Sequence, residues 1–275
     1  MNWWQALILG IVQGLTEFLP VSSSGHLVLF RELLGVDGEG FLDFTVLVHF
    51  GTVLSTVIVF WAAIVQLLKG LFKFRYNDET DYIFKLIVSM IPVAVVGFFF
   101  KDAVEGLFGG SLIVVGVCLV ITAALLWFSD FASRYHRNRS NTHRNGISYL
   151  QAFIVGIGQA IAVAPGLSRS GTTIATGLLT GVKRENMAQF SFLMVLVPII
   201  GEQGLDIVKS LSETGTLFSG EVSAAALLIG FLAAFISGLF ACKAMVALVR
   251  KARLGWFSLY CLAVAAIIFI LNFLS

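Results

Sequence analysis

A chain of 275 residues in which 58% are hydrophobic and only 12% charged is too apolar to present its surface to water, since soluble domains carry about 25% charged residues. With a mean hydropathy of +0.93, its solvent must be lipid. The net charge of +2 says little about partners because the charges are segregated into loops, and no nucleic acid is expected among them. A transmembrane β-barrel would show alternating segments of roughly ten residues. The apolar runs here are continuous and longer, so the expectation is an all-α polytopic membrane protein forming a single membrane domain.

In chain order, Met1-Asn2-Trp3-Trp4 lacks a positive region, so a cleaved signal peptide is not expected. Residues 3–35 are apolar but broken near the middle by Gly, Pro and Ser, and read as a re-entrant helical hairpin. Stretches 45–68, 83–100 and 111–129 are each long enough to cross a hydrocarbon core of about 30 Å. A polar linker, 130–148, follows. Residues 149–182 repeat the broken pattern of the first hairpin, and 190–208, 222–241 and 255–274 are three further spans. The three cysteines, Cys118, Cys242 and Cys261, lie in apolar runs without paired spacing and read as packing residues.

Loop charge sets the orientation. Lys69, Lys73, Arg75 and Lys85 fall in 69–85; Arg134, Arg137, Arg139 and Arg144 in 130–148; Lys243, Arg250, Lys251 and Arg253 in 242–254. By the positive-inside rule these three regions are cytoplasmic.

The two halves also match each other at a constant separation of 146 residues. Gln5-Ala6 pairs with Gln151-Ala152, Gly10-Ile11 with Gly156-Ile157, and Gln13 with Gln159. Ser22, Ser24 and Gly25 pair with Ser168, Ser170 and Gly171; Gly35-Val36 pairs with Gly181-Val182, and Phe44 with Phe190. Three crossings separate equivalent points, so the second half must be inverted. The expected architecture is an inverted-topology repeat of six transmembrane helices plus two re-entrant hairpins. Its first repeat is 1–129 and its second 149–275, with 130–148 a cytoplasmic linker.

Polar groups inside hydrocarbon are expensive and mark function. Gln13 and Glu17 stand at i and i+4 on one helical face, which makes Glu17 a candidate metal ligand or proton acceptor, with Gln13 beside it as an amide ligand. Ser22-Ser23-Ser24-Gly25 precedes an apolar run and suits a helix start, where free N–H groups and the helix dipole bind anions. His26 follows, three residues after Ser23. In the second hairpin, Ser168-Arg169-Ser170-Gly171-Thr172 offers a permanently charged guanidinium and more donors at a second helix start. The repeat should bring both hairpin tips together into a phosphate-binding site. Arg31, Glu32, Asp43 and His49 lie near hairpin or span ends, where His49 could approach that site, and Glu202 lies within a span.

Gln13-x-x-x-Glu17 with Pro20-Val21-Ser22-Ser23-Ser24-Gly25-His26, and Pro165-Gly166-Leu167-Ser168-Arg169-Ser170-Gly171, resembles the paired signature of undecaprenyl pyrophosphate phosphatases, the bacitracin-resistance family. The resemblance covers the whole chain. It implies removal of the terminal phosphate from a C55 polyprenyl diphosphate, with a divalent cation (Mg²⁺ or Ca²⁺), in the bacterial plasma membrane at a site facing outward. It implies essential roles for Glu17, Ser23, His26 and Arg169. Some members carry Glu where this chain has Gln13, so Glu17 alone bears the negative charge here. A different lipid-phosphatase family would require a His where Ala175 stands, and is rejected.

The partners this implies are the lipid substrate and surrounding membrane lipid, with a homodimer left open. The nucleophile is open too: Ser23 with His26 as base, His26 itself, or water activated by His26. The rival class is a transporter of a polyprenyl phosphate or another anion, because inverted repeats with broken helices are common in transporters. A transporter would leave a catalytic His and a metal without purpose.

Overall fold

The computed structural model describes residues 1–36, 40–100, 112–135, 143–214, 222–251 and 253–274, and no β-strand occurs among them. The first hairpin is α1 (Trp3–Thr16) and α2 (Ser23–Leu33). There follow α3 (Gly40–Val59), α4 (Trp61–Leu71), α5 (Asp78–Phe99) and α6 (Leu112–Tyr135). A 3₁₀ turn at Arg144–Gly146 leads to the second hairpin, α7 (Tyr149–Ile161) and α8 (Arg169–Leu179). The chain continues as α9 (Arg184–Thr214), α10 (Ala224–Lys251) and α11 (Gly255–Leu274).

Five of these helices, α3, α5, α6, α10 and α11, are long and apolar enough to cross a membrane. Their outward faces carry large apolar side chains, including Ile91, Val95, Phe98, Phe128, Phe240 and Phe273, the last 89% exposed. Apolar surface on this scale is stable only against lipid. The interior is more polar. Ser55, Thr56 and Thr122 are buried and return their hydroxyl hydrogens to carbonyls one turn back, which keeps them satisfied without water.

Several boundaries differ from the sequence reading. The expected span 45–68 is two helices, because Phe60 leaves helical geometry (φ −98°, ψ 11°). The break follows Thr52, Ser55 and Thr56, whose hydroxyls all bond back into their own helix, a pattern that bends helices. The expected span 190–208 lies inside the 31-residue α9, which is outside the five apolar crossings and carries Pro198. The presumed loop 69–85 ends early: Lys85 is buried within α5, bonded to Asp81 at 2.5 Å and to the Arg144 carbonyl at 2.7 Å. Asp81 also accepts from Tyr76, Tyr149 and Asn145. This satisfied ion pair fastens residues 144–149 to the start of α5. Lys243, Arg250 and Lys251 fall within α10 rather than in a loop, and Arg137 and Arg139 lie outside the described residues.

Both hairpins are built by the same local bonds, 146 residues apart. Asn2 and Gln5 form a capping box at the start of α1, as Ser148 and Gln151 do at α7. The amide of Gln5 also donates to Leu34 O, and that of Gln151 to Thr180 O. Each hairpin ends on a glycine with positive φ, Gly35 at +58° and Gly181 at +89°. There the next residue's N–H turns back to the helix end, Val36 to Arg31 O and Val182 to Gly177 O.

Close backbone approach seats the hairpins. On α1, Gly10 and Gly14 face Gly230, Ala234, Ser237 and Gly238 of α10; a Cβ at Gly10 would lie 2.4 Å from Gly230 O. On α7, Gly156 lies against Ser89 of α5, where a Cβ would meet Ser89 O at 2.3 Å. These are backbone contacts that cannot give way. Gly10→Leu and Gly156→Leu should each destabilise the folded protein by about 1–3 kcal/mol or more. Gly97→Leu, with nothing within 4 Å of its Cβ, is the control. Thermal melting in detergent checks this; equal melting temperatures for all three would refute the close-packing account.

Candidate active site

Glu17 follows the last turn of α1, and its carboxylate is 14% exposed inside an apolar protein. It accepts two hydrogen bonds and has His49 nearby. Gln13 Nε2, one turn earlier, donates to Oε2 at 2.9 Å. Ser23 Oγ donates to the same oxygen at 2.6 Å. His49 Nε2 of α3 stands 3.7 Å away. Because His49 Nδ1 bonds the Thr45 carbonyl, that nitrogen is the donor and Nε2 is the one turned to Glu17. His49 thus belongs to the site, as its position near the span end allowed.

Ser23 is the first residue of α2. It follows Ser22, the N-cap, whose hydroxyl accepts from Gly25 N at 3.2 Å. Ser168 caps α8 in the same way, accepting from Gly171 N at 3.1 Å. Both expected helix starts therefore exist, and Ser22 and Ser168 serve as their caps. The tips meet as expected: Ser24 Oγ accepts from Gly166 N at 3.3 Å, and Ser170 Oγ donates to Leu19 O at 3.2 Å. Gly171 packs beside Pro20, with only 3.3 Å between a Cβ there and Pro20 Cβ. Gly25 is similarly tight, against Val115. Thr172 is buried behind the α8 start, with its hydroxyl unpartnered among the described residues.

Arg169, the first residue of α8, lines a cleft with Glu17, Phe18, Thr52, Thr56, Ser170 and Ser191. Among the described residues its guanidinium has no hydrogen bond and no carboxylate within 4 Å. A permanent cation that faces a cleft and is not in contact with a carboxylate is suited to an incoming anion. The far wall of the cleft, Val53, Phe192, Val195, Leu196 and Ile199, is apolar. The cleft is therefore amphiphilic, with the start of α8 among its polar lining and an apolar wall beside it.

His26 is 3% exposed and touches neither Ser23 nor Glu17 through a hydrogen bond. Its Nδ1 bonds Ser22 O at 2.7 Å and its Nε2 bonds Tyr260 Oη at 2.8 Å. The group adjacent to the Ser23 hydroxyl is the Glu17 carboxylate. Tyr260 was invisible to sequence reasoning, because an aromatic residue in an apolar span reads as lipid-facing.

The donor set also fits a hard divalent cation. Gln13 is fully buried and, among the described residues, its Oε1 lacks a partner, next to the Glu17 carboxylate. Among the described residues no cluster of three or more His, Cys, Asp or Glu exists. A cation held by one carboxylate and one amide oxygen would take the rest of its shell from water and phosphate, as Mg²⁺ commonly does.

A family model described as bacitracin resistance protein BacA matches residues 6–267. The chain belongs to the BacA family. Among curated BacA-like relatives, the undecaprenyl-diphosphatase of Parabacteroides distasonis is 52% identical, with 98% of this chain and 97% of that protein covered. The undecaprenyl-diphosphatase of Bacteroides thetaiotaomicron is 51% identical over 95% of this chain and 96% of that protein. That of Methanobrevibacter smithii is 39% identical over 98% of this chain and 97% of that protein.

In this BacA chain, Ser24→Ala with Ser170→Ala removes both side-chain bonds between the hairpin tips. Each bond should contribute about 1 kcal/mol. The double variant should melt at lower temperature in detergent, and an unchanged melting temperature would mean that packing alone joins the tips.

Proposed function

We propose that this protein is an integral membrane phosphatase that hydrolyses undecaprenyl diphosphate to undecaprenyl phosphate and inorganic phosphate. It would thereby recycle the lipid carrier of cell-wall synthesis and confer bacitracin resistance. Kinship with the BacA family and the names of the relatives support the substrate. The observation that carries the chemistry is the 2.6 Å hydrogen bond from Ser23 to Glu17, whose side chain lines a cleft together with Arg169.

The diphosphate lies at the polar end of the cleft and the first part of the prenyl tail against Val195, Leu196 and Ile199. Ser23 Oγ attacks the terminal phosphorus as Glu17 accepts its proton. The P–O bond to the bridging oxygen breaks, undecaprenyl phosphate leaves, and water then hydrolyses the phosphoserine. Arg169 and the N–H groups starting α2 and α8 stabilise charge on the transferred phosphoryl group. Glu17 and Gln13 would hold a divalent cation, Mg²⁺ or Ca²⁺, which when bound neutralises phosphate oxygens.

The same reading includes the finer architecture. α1 and α7 have 14 and 13 residues, about 20 Å at 1.5 Å per residue, too short to cross a core of about 30 Å. This supports two re-entrant hairpins, with α9 as a sixth crossing beside the five apolar helices. The recurring bonds at 146-residue separation support two inverted repeats, 1–129 and 149–275. The protein resides in the bacterial plasma membrane with its site facing outward, and a homodimer is compatible with this arrangement.

Purified protein in detergent should release phosphate from undecaprenyl diphosphate with Mg²⁺ and not with EDTA. Ser23→Ala, Glu17→Gln and Arg169→Ala should each lose at least about 10²-fold in rate. Acid-quenched mass spectrometry should trap phosphate on Ser23; phosphate on His26, or on no residue, would overturn the serine route. Absence of hydrolysis by folded, metal-loaded protein would overturn the enzyme itself. For the topology, cysteines introduced at Arg75 and Arg139 should react only with membrane-permeant reagents in intact cells. Labelling of either by an impermeant reagent would sink the inverted arrangement.

A further inference from the structure

Ser22 is strained. Its backbone adopts φ +69°, ψ 97°, a region that L-residues with a side chain rarely occupy. Such conformations persist only where the surroundings over-determine them. Ser168, its counterpart at the start of α8, is an ordinary extended N-cap at φ −75°, ψ 113°. The strain is therefore confined to the turn that immediately precedes Ser23 and directs its hydroxyl toward Glu17.

His26 holds that turn. The Ser22 carbonyl accepts two hydrogen bonds from this one residue, from its backbone N–H at 3.2 Å and from its ring Nδ1 at 2.7 Å. A carbonyl can only accept, so Nδ1 carries the proton. In the neutral ring Nε2 then has a lone pair, and Tyr260 Oη donates to it at 2.8 Å. The two rings lie 3° from parallel with centroids 5.6 Å apart. In the second hairpin the residue four beyond the cap is Thr172, which has no ring to play this part, and there the cap is unstrained.

α11 grips the same hairpin tip a second time. Cys261, adjacent to Tyr260, donates its thiol hydrogen to the Pro20 carbonyl at 3.6 Å. Ser258, one turn earlier on that helix, donates to Ala123 O of α6. The last helix is thus anchored to α6 and braces the tip of the first hairpin from behind.

We propose that Tyr260 and His26 are positioning residues for Ser23. The Ser22 carbonyl sets the Nδ1–H tautomer of His26, Tyr260 donates to the opposite ring nitrogen and holds the ring in place, and His26 Nδ1–H clamps the strained Ser22 turn so that the Ser23 hydroxyl is held against Glu17 before substrate arrives. This rests on the reading of Ser23 as the attacking group. It makes the histidine a donor to backbone, acting through Ser22. It also accounts for the burial of His26 away from Glu17, and for a half-exposed tyrosine in the C-terminal helix. Pre-organisation of this kind acts on the chemical step, so its loss should appear in kcat and leave KM in place.

Asparagine separates a clamp from a base or nucleophile, because its amide Nδ2 stands where histidine Nδ1–H does and can donate to the same carbonyl. His26→Ala should lose at least about 10²-fold in kcat, while His26→Asn should keep at least about a tenth of wild-type kcat. Tyr260→Phe should lose about tenfold in kcat with unchanged KM. Histidine-selective ¹⁵N NMR gives a readout independent of turnover. Wild-type His26 should show a protonated Nδ1 and an unprotonated, hydrogen-bonded Nε2, and Tyr260→Phe should keep the proton on Nδ1 but move the Nε2 signal to that of a lone pair without a hydrogen bond.

The clamp is overturned by a folded His26→Asn variant as inactive as His26→Ala, or by a wild-type ring protonated on Nε2 alone. It is equally overturned by a Tyr260→Phe variant with wild-type kcat and an unchanged His26 signal. These failures are distinct from failure of the phosphatase reading, which wild-type phosphate release decides.

Discussion

Everything at the centre of this molecule depends on keeping one carboxylate charged inside an apolar protein. Glu17 is tolerable there because Gln13 and Ser23 donate to it and the Arg169 guanidinium lines the same cleft. A buried anion without such partners would take up a proton. The need to assemble donors from α1 and α2 around one oxygen fixes how those two helices meet. The same need aims the Ser23 hydroxyl at a proton acceptor. On the proposed serine route, satisfaction of a buried charge and activation of a nucleophile are one hydrogen bond seen from its two ends.

The hairpins supply the rest by exposing helix starts at depth in a membrane protein. Lipid offers no partners for free N–H groups, so a helix can begin there only if protein caps it. Ser22 and Ser168 do so, and the tips lean on each other through Ser24, Gly166, Ser170 and Leu19. The cleft that remains is lined at the start of α8 by the Arg169 guanidinium, which has no hydrogen bond among the described residues. On the proposed reading, such a group asks the ligand for negative charge on several oxygens. The apolar far wall describes the remainder of that ligand.

Much of this was legible in the sequence because it is local. Gln13 and Glu17 share a helical face by spacing alone, and serines before an apolar run announce a capped helix start. The match between the halves anticipated the meeting of the hairpin tips. Where sequence reasoning went astray, packing had overridden local pattern. An unbroken apolar run hid the break at Phe60, since back-bonding hydroxyls carry no hydropathy signal. Lys85 read as a loop charge, but Asp81 and the Arg144 carbonyl satisfy it inside α5.

The sequence by itself determined the solvent, the helical class, the family and the identity of the chemical groups, because composition, periodicity and short motifs report on lipid exposure and on neighbours along one helix. The tertiary structure decided which of those groups touch. Proximity between residues 26 and 260, or between 17 and 49, is set by how helices pack. No spacing rule reaches across that distance in the chain. That is why Ser23 was visible as a candidate nucleophile, whereas the Glu17 carboxylate as its partner, and Tyr260 behind His26, emerged only once the helices were assembled.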